Sequence, residues 1–89
     1  MTQIVVVDAP ERSRFEALEA GELVGICDYH RSDGVITLDR VEVVPAQRGR
    51  GIGEQIVQAA VTAARAENLE VIPHCWFAAA WLRSHPQRP

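Results

Sequence analysis

Apolar and polar residues alternate with a period of about two through the first half of the chain, and from residue 52 the pattern changes to a helical period. Gln3 to Val7 is rich in β-branched residues and predicts a strand, which Asp8-Ala9-Pro10 breaks. Arg14 to Leu18 predicts a second short strand, Gly21 turns the chain, and Glu22 to His30 predicts a third. Ser32-Asp33-Gly34 is a hairpin signal that leads into a β-branched fourth strand, Val35 to Val44. Beyond it, Ile52, Ile56, Ala60 and Ala63 or Ala64 fall on one face, while Glu54, Gln55, Gln58, Thr62 and Arg65 fall on the other. That spacing predicts an amphipathic helix of about four turns, with Asn68 suited to a left-handed stop. Leu69 to Pro73 follows as a short strand and Cys75 to Ser84 as a short helix closed by Pro86. The order β-β-β-β-α-β-α predicts an α+β domain with a mixed, mostly antiparallel sheet of about five strands and two helices.

Length and composition narrow the setting. Eighty-nine residues support one domain, 1–89, without linker, repeat or low-complexity segment. The longest apolar run is too short to span a membrane and no signal peptide is recognisable, so a soluble cytoplasmic protein is expected. Two cysteines without a secretion signal are expected to stay reduced. The chain is mildly acidic but asymmetric: residues 1–39 carry eight acids against three arginines (−5), and residues 40–89 four acids against six (+2). A basic second half suits an anionic cofactor, and an acidic first half would attract a cationic amine; solvated surface charge is the plain alternative. With a pI near 5.5 and few aromatics, the chain lacks the basic, stacking surface of a nucleic-acid binder.

The candidate chemistry centres on Arg48-Gly49-Arg50-Gly51-Ile52-Gly53, between a predicted strand and a predicted helix. Such a turn leaves backbone N–H groups unpaired at the positive end of a helix dipole, which suits an anion and points to a phosphorylated ligand. A dinucleotide-binding G-x-G-x-x-G is excluded because Glu54 occupies the third glycine position. A Walker A loop is excluded because the chain contains no lysine. What remains is R-x-x-G-x-G from Arg48 to Gly53.

Together with Val41-Glu42-Val43 before it, and Val71-Ile72-Pro73-His74-Cys75-Trp76-Phe77 and His85-Pro86 after it, this motif resembles the small single-domain branch of the GNAT superfamily of N-acetyltransferases. The resemblance implies acetyl-coenzyme A as co-substrate, with its pantetheine arm lying between splayed fourth and fifth strands. Val43 and Val44 would border the arm, and Arg48, Gly49, Arg50, Gly51, Ile52 and Gly53 would cradle the pyrophosphate. No metal is expected: there is no C-x-x-C or H-x-x-x-H pair, and adjacent His74 and Cys75 on extended chain point opposite ways.

Two residues are candidates for the chemistry itself. Glu42 matches the family's strand motif and could act as the base on the attacking amine, directly or through a water; facing solvent or pairing Arg40 is its alternative. Cys75, beside His74 and the start of a helix, could carry the acetyl group, act as an acid on the thiol side, or be a small buried hydrophobe. Histidine as a residue type changes charge near neutral pH, which brings in His74 and His85. The plain alternatives are a helix-end cap for the histidine before Pro86 and an outward-pointing strand residue for His74, and His30 is expected at the surface. Two positions depart from the family pattern: Trp81 stands where many members have an acidic tyrosine, and Asp39-Arg40 precedes Val41-Glu42 in place of a His-Thr type pair. Trp76, Phe77 and Trp81 are expected in the core, one exposed tryptophan instead marking a partner surface. The expected function is transfer of acetyl to a primary amine, with an open, shallow site favouring a protein or peptide side chain over an enclosed metabolite. A monomer or weak homodimer is expected, and a non-catalytic acyl-coenzyme A binding module is the alternative.

Overall fold

A computed structural model describes residues 3–86 of the chain. Among these residues five strands form one sheet in sequence order: β1 (Ile4–Ala9), β2 (Arg14–Glu19), β3 (Glu22–Ser32), β4 (Val35–Val43) and β5 (Glu70–Pro73). The first four make an antiparallel meander. Its two tight turns are built on residue pairs with positive φ, Ala20-Gly21 and Asp33-Gly34, whose twist matches that of the flanking strands. Helix α1 (Ile52–Ala66) then crosses over to place β5 parallel to β4, and α2 (Trp76–Ser84) follows. Asn68 takes the left-handed conformation after α1 (φ 58°). Two short 3-10 turns, Pro10–Arg12 and Pro45–Gln47, stand where the pattern predicts only strand ends.

The helices cover one face of the sheet. Helix α1 buries Ile52, Ile56, Val57, Ala60, Val61 and Ala64 against Phe15, Ala17, Cys27, Tyr29, Ile36 and Leu38. Its apolar stripe is thus wider than the predicted one, because Val57 and Val61 flank it. Gly25 of β3 permits this closeness: a Cβ there would lie 2.9 Å from Ile56 Cδ1. Among the described residues the opposite sheet face carries no helix, and Val5, Val7, Leu23 and Ile72 are exposed, interspersed with charged side chains.

The aromatic residues of α2 do not share one fate. Phe77 packs against Gly53, and Trp81 is half-buried and stacked on His85 at 4.1 Å between ring centroids. Trp76, expected in the core, is 79% exposed. The reason is helical phase: Ala78, two positions on and about 200° around the helix, is the residue aimed at the sheet.

Candidate functional site

The site arises where β4 and β5 part. They pair only from Val35↔Glu70 to Leu38↔Pro73. The Leu38 carbonyl then accepts hydrogen bonds from both His74 N–H (2.9 Å) and Cys75 N–H (3.0 Å), and the chain turns away into α2 with Cys75 as its N-cap. Strand β4 continues to Val43 with only β3 as neighbour among the described residues. A V therefore opens between the outer edge of β4 and the start of α2, with backbone groups of β4 left for another partner.

A β-bulge decides which side chains face each side of this V. Asp28 opposes Arg40 and Tyr29 opposes Leu38, so Asp39 is the extra residue. Without it, the alternation set by Ile36 and Leu38 would drive Arg40 and Glu42 into the core. With it, Val41 and Val43 pack on the core, while Asp39, Arg40 and Glu42 share the uncovered face. The adjacent polar pair Asp39-Arg40 in an otherwise alternating strand was the available signal, and the strand prediction passed over it.

At the open end of the V lies the glycine loop. Gly49 (φ 85°) and Gly51 (φ 76°) both adopt left-handed backbone, and Gly51 is the N-cap of α1. The first hydrogen bond of that helix runs from Gln55 N–H to the Gly51 carbonyl at 3.1 Å, so the N–H groups of Ile52, Gly53 and Glu54 have no helical partner. A groove of about 460 Å³ joins loop and V, with Val43, Arg48, Gly49, Gly51, Ile52 and Gly53 in its walls. Val41, Gln47, Glu54 and Phe77 also line it, and none of these was singled out as a site residue. The Arg50 guanidinium is turned outward into a bidentate contact with Glu19 (2.7 and 3.0 Å) and a contact with Gln47. Arg48 crosses the end of β4, its Nε donating to the Val43 carbonyl at 3.4 Å.

A second groove, of about 380 Å³, shares Glu42, Val43 and Arg48 with the first. Val44 lines this one, with Leu23, Ile26 and Pro45 as further apolar wall. Glu42 thus stands between the grooves, its side chain exposed and 3.2 Å from Arg40, which also holds Asp28 at 2.9 Å. Most acids of the first half are paired in this way: Glu16 with Arg12 and Arg14, Asp8 with Arg31, Glu19 with Arg50. The local acidity available to a cationic ligand is correspondingly smaller than the charge count suggests.

Both cysteines are free thiols. Cys75 is partly buried against the core side of the V. Cys27 lies beneath, and burial, then the proximity of Cys75, Asp28 and Asp39, pushes its thiol up to about 12. His74 points the other way, its Nδ1 3.3 Å from Asp39 Oδ1, and His30 Nδ1 contacts Asp39 Oδ2. His85 hydrogen-bonds the Trp81 carbonyl at the end of α2, away from the V. No helix among the described residues is long and apolar enough to cross a membrane.

Three solved structures share this fold. A ribosomal-protein-alanine N-acetyltransferase from Brucella melitensis biovar Abortus 2308 superposes with a TM-score of 0.67 at 15% identity, over 85% of this chain and 62% of its own. An aminoglycoside N-acetyltransferase, AAC(6')-Iy, in complex with CoA gives 0.61 at 18% identity, over 85% and 59%. An integron cassette protein from the mobile metagenome of V. cholerae gives 0.62 at 17%, over 85% and 54%. The chain therefore spans roughly three fifths of the length of these structures. No curated protein sequence matches it. The family model described as GCN5-related N-acetyl-transferase matches residues 14–88, from the first residue of β2 through α2, and by that match the chain belongs to the GCN5-related N-acetyltransferase family.

Proposed function

We propose that this protein is an acetyl-coenzyme A dependent N-acetyltransferase acting on a primary amine. The observation that carries the proposal is the continuity between the V and the loop: an unpaired strand edge runs directly into a cluster of N–H groups at a helix N-terminus. An extended amide-bearing arm with a pyrophosphate at one end matches both parts, the first by strand-like hydrogen bonding and the second by its charge. The coenzyme A bound to the aminoglycoside N-acetyltransferase of the same fold supports this cofactor.

In this arrangement Gly49 to Gly53 hold the pyrophosphate through main-chain amides, and Arg48 adds charge at the strand end. Arg50 contributes through its backbone while its side chain remains on Glu19. Val43 borders the arm, and Val44 borders the acceptor in the second groove. Glu42, reachable from that groove, receives the acceptor as an ammonium ion and removes its first proton, directly or through a water. Cys75 stands on the thiol side of the V, across from the acceptor face, which favours direct attack by the amine over a thiol-bound acetyl intermediate. The shallow acceptor groove suits a side chain or terminus of a peptide or protein. Two free thiols suit a reducing compartment, and we place the protein in the cytoplasm.

The test is release of coenzyme A thiol from acetyl-coenzyme A in the presence of primary amines, with intact mass on the same samples. Glu42→Gln is expected to lower turnover about a hundredfold while leaving cofactor binding unchanged, the usual scale of a lost general base. Cys75→Ala is expected to keep turnover within about tenfold, less than the roughly hundredfold that loss of a general acid or base costs, with no acetyl mass on the wild-type protein. A stable acetyl adduct that disappears in Cys75→Ala would replace direct attack by a two-step route. Cofactor binding without turnover of any amine would reduce the protein to a binding module.

A further inference from the structure

Acyl transfer from a thioester to an ammonium moves two protons off nitrogen. The first leaves before attack; the second leaves after the N–C bond has formed, and the departing sulfur must gain one as the C–S bond breaks. Glu42 serves the first step in the function proposed above, on which this inference rests. The second takes place at the acyl end of the bound cofactor. With the pyrophosphate at the loop, the arm runs back along β4 from Val43 toward Asp39, a span of roughly 13 Å at the usual rise of a strand. The acyl group thus arrives at the closed end of the V.

Asp39, His74 and His30 are gathered at that end, on the same uncovered face as Glu42. The bulge projects Asp39 there, and the His74 main chain is fixed by its hydrogen bond to the Leu38 carbonyl. Burial pushes the Asp39 carboxyl up, but hydrogen bonds from His30, Thr37 and His74 outweigh it and hold the group below the usual aspartate range. An ionised carboxylate only accepts, so the His74 nitrogen facing it, Nδ1 at 3.3 Å, carries the proton. In the neutral ring Nε2 is then the nitrogen with the lone pair, and it has no partner among the described residues. This is the division of roles by which a carboxylate fixes a histidine tautomer for catalysis.

We infer that His74 is a second catalytic base, with Asp39 as its positioning residue. Nε2 takes the proton from the nitrogen of the tetrahedral intermediate and returns it to the sulfur as the C–S bond breaks; the ammonium's first proton leaves by way of Glu42 to solvent. The sole tyrosine, Tyr29, cannot supply the sulfur's proton, because its hydroxyl donates to Asp8 at 2.6 Å on the far side of the sheet. The charged and titratable groups around His74 are Asp39 on β4 and, beyond it, His30 on β3. Arg40, Asp28 and Glu42 come next along the same face, Cys75 follows in the chain, and Glu70 and Arg83 lie at the far ends of β5 and α2.

The experiment follows thiol release by the whole chain against pH, with 2-phenylethylamine and then hydroxylamine as acceptor, above the uncatalysed rate. His74→Ala is expected to keep the wild-type melting temperature and acetyl-coenzyme A affinity, to lose about a hundredfold in kcat, and to change the shape of the rate profile against pH. Free imidazole is expected to restore part of the rate, since the side chain is 63% exposed and leaves room for it. Asp39→Asn is expected to lower kcat with KM unchanged. Hydroxylamine, already neutral near about pH 7.5, spares the first deprotonation only, so it should rescue Glu42→Gln but not His74→Ala. Wild-type turnover with an unchanged rate and profile in His74→Ala would overturn this inference alone, as would a slow His74→Ala that imidazole does not rescue. A wild-type protein that turns over neither acceptor would overturn it together with the acetyltransferase proposal.

Discussion

Two cysteines that lie near one another in the fold are chemically unlike. Cys27 is enclosed, with its thiol pushed up to about 12 by burial first and by Cys75, Asp28 and Asp39 after it. Reaction with an alkylating or disulfide reagent proceeds through the thiolate, so Cys27 is silent in the native protein at mildly alkaline pH. Native chains at about pH 8 are expected to take up one label, on Cys75, and a second only on unfolding. Two labels at similar native rates would contradict the packing of β3 against α1. Cys75 at the end of a strand was legible from the chain as a distinctive position, because Pro73 and the start of an apolar run bracket it. The Asp39–His74 contact was not: its partners are 35 positions apart, and only the parallel pairing of β4 with β5 brings them together. Trp76 was misjudged for a related reason, since a nine-residue helix with aromatic residues on several sides does not declare which one its neighbours cover.

At the level of elements, the period change after residue 52 and the glycine run were enough to place a strand, a loop and a helix in order. What remained hidden was the bulge at Asp39, because one inserted residue leaves composition untouched while reversing every later side chain. Helix α1 also contains a conflict that can be measured. Glu54 sits in its first turn, where a carboxylate complements the helix dipole, and it lines the groove assigned to phosphate. Glu54→Gln is therefore expected to lower folding stability by about 0.3–1 kcal/mol and, at low salt, to tighten coenzyme A binding a fewfold. Equal or weaker binding in Glu54→Gln, with the stability loss present, would place the phosphates away from this helix terminus.

At the scale of the molecule, the described residues form a two-layer structure with helices on one sheet face and the proposed acceptor groove on the other. That division follows from sequence features of unequal visibility. Turn pairs and alternation specify the meander locally, so its strands are readable one by one. The V depends on where pairing stops, at Leu38 and Pro73, and on a turn into α2 that packs through Phe77 against Gly53; both are properties of the assembled fold. The paired acids of the first half are another such property, since Glu16, Asp8, Asp28 and Glu19 each meet an arginine from another strand or a loop. The central claim is that this V and its glycine loop hold acetyl-coenzyme A. Thermal unfolding of the intact chain with and without the cofactor tests it most directly. A ligand at about 100 times its Kd adds roughly 2.7 kcal/mol, which in a domain of this size raises the melting temperature by about 10 °C or more. That rise, reduced in Gly51→Ala more than in Glu42→Gln, is the expected result. No rise at saturating acetyl-coenzyme A would contradict the account and leave the glycine loop as a turn between β4 and α1.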